Sequence, residues 1–127
     1  MSTLQVGTIK SASSAAPVFQ NSSGTEKGQI VKAWCRWRTS GGAAIEDSFN
    51  VSSVTDNGTG YSYVNFANSF SNANYAVCVG GQEDSGGGGR VTNARSPEAS
   101  RCQVEFRNLS NSTRNAIDLH AIFIGDN

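Results

Sequence analysis

The strongest constraint on how this chain folds is a repeated pattern: short runs of alternating apolar and polar residues, each cut off by Gly, Asn, Asp or Ser. In VKAWCRWR, residues 31–38, Val31, Ala33, Cys35 and Trp37 share one face while Lys32, Trp34, Arg36 and Arg38 share the other, which is the period of a half-buried strand. The same alternation predicts strands at Leu4–Ile9, Ile30–Arg38, Ser48–Thr55, Tyr61–Phe66, Tyr75–Gly80, Arg90–Asn93, Gln103–Asn108 and Ala116–Ile124. Charged residues are only 16% of the chain and Gly is abundant, a balance that favours short strands and polar turns over charge-laced helices. With no internal repeat and fairly even spacing, the runs suit an antiparallel sheet better than alternating βαβ units. The expectation is all-β: an antiparallel β-sandwich of about eight short strands, preceded by an extended N-terminal arm.

That arm comes from SASSAAPVFQNSSGTEKG, a low-complexity connector whose one apolar anchor is Val18-Phe19. It is too polar to build a core of its own. Residues 1–29 are therefore assigned to a strand and arm for attachment or subunit wrapping, and residues 30–127 to the sandwich.

In DSFNVSSVTDNGTGYSYVNF, residues 47–66, the alternation slips. Phe49 and Val51 share a face and Val54 would fall on the other, so Ser52-Ser53 is read as a β-bulge that returns Val54 to the core side. Asp56-Asn57-Gly58-Thr59-Gly60 then supplies residues that tolerate positive φ and closes a hairpin. Only Asp56 offers a carboxylate in that turn, too few for a calcium loop.

At 127 residues the chain fits one domain. Its 10 basic and 10 acidic residues cancel, giving no electrostatic footprint for a nucleic acid or an anionic membrane. The N-terminal segment has neither a basic leader nor a long apolar run, so synthesis in a cytoplasm without membrane insertion is expected. Cys35, Cys78 and Cys102 are odd in number, lack CxxC spacing and sit in strand-like runs, which predicts reduced, largely buried thiols with no bound metal or cofactor.

Catalytic chemistry finds little to work with. His120 is the single histidine, no GxSxG elbow precedes a helix, and no cysteine has a histidine nearby in sequence. The carboxylate pairs Glu46-Asp47 and Glu83-Asp84 are neighbours along strands or loops, where adjacent side chains point to opposite faces. GGQEDSGGGGR, residues 80–90, lacks the Gly-Lys-Ser/Thr ending of a phosphate loop. The chain is expected not to be an enzyme.

The run AWCRWRTSGGAAIEDSFNVSSVTDNGTGYSYVNFANSFSNANYAVCVGG resembles the C-terminal domain repeatedly found in tail-fibre proteins of bacteriophages, many of them marine. The carriers are Lys32-Ala33-Trp34, Ile45, Asp47 to Ser53, Thr55 to Gly60, Val64-Asn65-Phe66 and Ala73-Asn74-Tyr75, with the ending IFIGDN and the preceding Leu4 to Ile9 also similar. Where this family tends to place an aromatic, the chain has Ser62. The resemblance implies a homotrimeric, β-rich virion component, made in a host bacterial cytoplasm and often placed at a fibre tip that contacts the host surface. Capsid decoration, a head fibre or a tail adaptor is the alternative for a short free-standing copy. A receptor-binding role would fall on mobile surface loops, with Gln82, Glu83, Asp84, Ser85 and Arg90 in one and Asn108, Asn111 and Arg114 in the other. The partner would be a host surface glycan or protein, while the N-terminal arm would meet other virion proteins.

In AIDLHAIFIGDN, Ile117, Leu119, Ala121 and Phe123 alternate with Asp118, His120, Ile122 and Ile124. The second face begins polar and ends apolar, which places Ile122 and Ile124 at a subunit interface or in a strand buried on both faces. Trp34, between cations, is either shielded by their aliphatic stems or serves as a subunit contact or ligand platform.

Overall fold

The computed structural model describes residues 3–10, 19–28, 30–83 and 90–125. After a small antiparallel pair, β1 (Phe19–Gln20) and β2 (Glu26–Gly28), eight strands follow: β3 (Ala33–Arg38), β4 (Ala44–Phe49), β5 (Val51–Asp56), β6 (Tyr61–Phe66), β7 (Ala76–Glu83), β8 (Arg90–Glu98), β9 (Arg101–Asn108) and β10 (Ala116–Ile124). They form two four-stranded antiparallel sheets, the first ordered β4-β3-β10-β7 and the second β5-β6-β9-β8. The all-β sandwich is as the alternation requires.

The inner faces follow from the period of two. Ala33, Cys35 and Trp37 from β3, and Leu119, Ala121 and Phe123 from β10, meet Val64 and Phe66 from β6 and Cys102, Val104 and Phe106 from β9; all are buried. One polar contact crosses this core: Trp37 Nε1 donates to Ser62 Oγ at 3.1 Å. Ser62 thus supplies the acceptor that a buried indole needs. At one end of the sandwich Phe66, Phe70, Tyr75 and Phe123 pack edge-to-face or tilted with ring centroids 4.6–6.1 Å apart. Tyr75 Oη, donating toward the Glu98 and Arg101 carbonyl oxygens at 3.1 and 2.9 Å, ties that cluster to the β8–β9 turn.

Several expectations change. Leu4–Ile9 forms no strand and its apolar side chains are exposed. The predicted strand Ser48–Thr55 is two strands in different sheets, separated by Asn50 at φ 55°. Asn50 holds this corner with its side chain: Nδ2 donates to the Lys32 and Asn68 carbonyls, and Oδ1 accepts the Asn68 backbone N–H. Phe49 and Val51 consequently do not share a face; Phe49 is 54% exposed, while Val51 packs on the core. The bulge lies as read, with pairing to β6 shifting between Val51 and Ser53 and Val54 restored to the core side. The turn at 56–60 is also as read, with Gly58 at φ 98°, Gly60 at φ 77° and Asp56 Oδ1 accepting the Gly58 N–H. Gly60 has no room for a Cβ against the Phe106 carbonyl oxygen and Arg114 N.

Two bulges in the first sheet were not foreseen. Ile117 stands unpaired between Ala116 and Asp118 and is exposed, leaving Ala116 in the core in its place. Glu46 is skipped between the Asp47 and Ile45 pairings, so Glu46 and Asp47 are both exposed instead of pointing to opposite faces. Cys35 and Cys102 are buried but Cys78 is exposed on the outer face, contrary to a set of largely buried thiols. Burial, with Asp47 nearby, pushes the Cys35 thiol up to about 12. Val18 lies outside the described residues, and Phe19 is half-exposed on β1.

Candidate functional site

At the end of the sandwich opposite the aromatic cluster, β7 and β9 finish while β6, β8 and β10 begin. Gln82, Glu83 and Arg90, read as loop residues, belong to β7 and β8; Asp84 and Ser85 lie outside the described residues. Glu83 pairs with Arg90 and, at 3.5 Å, with Arg114. Gln82 is set apart from them, exposed beside Asp118 on the outer face of the first sheet. Asn108 and Asn111 form a tight turn in which the Asn111 N–H donates to the Asn108 carbonyl and Asn108 Oδ1 accepts the Ser112 N–H at 2.9 Å. Asn111 takes φ 62°, a conformation asparagine tolerates better than most residues.

These two asparagines border an open groove of about 380 Å³ on the outer face of the second sheet. The groove follows from β8–β9 register: Val91 stands opposite Arg107, Asn93 opposite Glu105 and Arg95 opposite Gln103. At its centre Glu105, 3% exposed, accepts from Arg95 at 3.2 Å and from Arg107, with Asn93 Nδ2 at 3.4 Å from its other oxygen. Arg107 also donates from Nη1 to Asn111 O and Oδ1 and from Nη2 to Tyr61 Oη at 2.7 Å. Burial opposes ionisation of Glu105, but the bonds from Arg107 and Tyr61 and the charges of Arg107 and Arg95 outweigh it, so its carboxyl titrates below the ordinary value. Beside the groove the Arg101 guanidinium lies 4.3 Å from the centroid of the Tyr63 ring.

Sequence reasoning selected Asn108 and Asn111 but missed Asn93, Arg95, Glu105 and Arg107. The signal was present: in RCQVEFRN every second residue from Arg101 is polar, a whole strand face of hydrogen-bonding groups opposite Tyr61 and Tyr63.

The outer face of the first sheet is built differently. Phe49, Trp34, Ile122 and Cys78 stand directly opposite one another across all four strands, and Ile124 pairs with Ala76 in the next row. Ile122 is 43% and Ile124 38% exposed, and Trp34 is half-buried. The three residues assigned to an interface are thus gathered on one face. Farther along, Asp47, Arg36 and His120 form a polar row, with the His120 ring lying over Gly80. Among the described residues no group of three or more His, Cys, Asp or Glu is placed to hold a metal ion, and no helix is long and apolar enough to cross a membrane.

No protein-family model, curated protein or solved structure matches the chain.

Proposed function

We propose that this protein is a non-catalytic virion component of a bacteriophage, a homotrimeric tail-fibre or receptor-binding tip module that contacts the host cell surface. The observation that carries the reading is the contrast between the two outer sheet faces. The row Phe49–Trp34–Ile122–Cys78 is apolar across the full width of one sheet, as a subunit contact requires. The face of the other sheet offers arginines, amides and tyrosines around a groove, a combination suited to reading a polar surface. The sequence likeness to phage fibre domains supplies the setting, and three copies give a closed symmetry. Ile122 and Ile124 are already more than half buried within the chain, so covering what remains exposed contributes about 1–2.5 kcal/mol per chain, appreciable beside the stability of a small domain. The N-terminal residues, including the β1–β2 pair, then serve to join other virion proteins.

Purified protein tests the reading by competition with phage adsorption to host cells. Dose-dependent loss of adsorption is the expected result. Binding to capsid shells with adsorption unchanged would overturn it in favour of a decoration or head-fibre role.

A further inference from the structure

Resting on the recognition reading, we infer that the groove between β8 and the 108–111 turn binds a carboxylate-bearing sugar, a uronic-acid residue of a surface polysaccharide, through the open side of the Arg95 guanidinium. The argument is a count of donors against acceptors. Glu105 brings the obvious acceptors, and both its oxygens are already engaged, one by Arg95 and Arg107 and the other by Asn93. The side-chain oxygens of Asn108 and Asn111 are likewise spent, on the Ser112 N–H and on Arg107. What remains for a ligand is mostly donors: the Nδ2 groups of Asn108 and Asn111, and Arg95, which commits Nη1 to Glu105 while its side chain stays 50% exposed, against one side-chain acceptor in the lining, Asn93 Oδ1.

Charge points the same way. Two guanidiniums face one carboxylate, so the groove carries one net positive charge in a chain whose total is zero. A neutral sugar, whose hydroxyls each donate as well as accept, would find Asn93 Oδ1 for one proton and leave the others facing donors. A planar carboxylate accepts two parallel N–H bonds from an arginine fork and donates none. Val91 and Leu109, both exposed at the groove, offer apolar surface to the C–H face of the ring. Glu105 holds Arg95 in place and is a positioning residue.

The test is calorimetric titration of the full chain with three oligosaccharides of equal length: an oligouronate, its carboxyl-reduced neutral counterpart, and a sulfated neutral oligosaccharide. The oligouronate is expected to bind at least about tenfold tighter than the reduced form, the equivalent of one charge-assisted bond, and tighter than the sulfated one. Arg95→Gln should remove that preference; Glu105 keeps Arg107 as partner, and an unchanged melting temperature verifies the fold. Arg95→Lys, a point charge without the fork, should recover only part of it. Arg38→Gln, the same charge change on the other sheet, should leave binding unaltered. Equal binding of oligouronate and reduced form, tighter binding of the sulfated form, or full affinity in Arg95→Gln would each overturn the inference. Adsorption assays on the same preparations separate the two levels: protein that blocks adsorption without a uronate preference refutes this site and leaves the recognition reading standing.

Discussion

Across the first sheet, the residues that face one another on the outer side are Phe49, Trp34, Ile122 and Cys78; at the matching place on the second they are Tyr61, Glu105 and Asn93. Both rows stand on strands whose other faces feed the same core, so burial in the chain's own interior explains neither. An exposed apolar row gains nothing in water and invites association. A carboxylate buried among arginines costs desolvation and is retained where geometry matters more than stability. The difference teaches that the two outer faces differ in character, one apolar and one lined with charged and hydrogen-bonding groups; under the proposed function the first meets copies of the chain and the second a polar partner.

The comparison breaks most visibly at β10. Ile122→Asp with Ile124→Asp places two charges on the apolar row, and full dissociation to a mass near 13.4 kDa with retained β-structure is expected in light scattering and circular dichroism. An intact soluble trimer would remove this strand from the interface.

On the polar face, Glu105→Ala leaves Arg95 and Arg107 without their shared partner. A loss of about 2 kcal/mol in denaturant unfolding is expected, discounted for the half-exposed Arg95. The wild-type protein should show the same contact through pH. Because the folded state holds the Glu105 carboxyl below its ordinary value of 4.5, the stabilisation is fully present above that pH and is lost as pH falls through the lower folded value. Glu105→Gln should flatten this acid limb of the stability curve. A curve unchanged by the substitution would mean that Glu105 is not held by its arginines in solution.

The smallest effect is a single thiol. All three cysteines should react in denaturant, while Cys35 and Cys102 stay silent in the native fold because they are buried. Cys78 lies in the apolar row, so it should react slowly in the assembled protein and readily in the Ile122→Asp, Ile124→Asp variant. Equal rates in both would place Cys78 outside the subunit contact.

Much of this was legible in the residues. Period-two alternation defines the inner faces of β3, β6, β9 and β10, and Ser52-Ser53 marks a real bulge because Val54 must return to the core. The Asn50 corner was hidden because alternation runs through Phe49–Val51 as if the strand continued; the break is stabilised by bonds to Lys32 and Asn68, 18 residues away on either side. Ile117 was misplaced because a bulge in β10 shifts the face by one residue, and no local residue type announces it. The groove escaped notice for a related reason. Its parts come from β8, β9 and the 108–111 turn, and only their register brings Asn93, Arg95, Glu105 and Arg107 together. Loops attracted the functional assignment, whereas Gln82, Glu83 and Arg90 proved to be strand residues.

The division between the two faces rests on the apolar row meeting copies of itself. Multi-angle light scattering of the purified full chain at micromolar concentration measures this directly. The account predicts three subunits of 13.4 kDa in one particle, and a single-subunit mass at that concentration would contradict it.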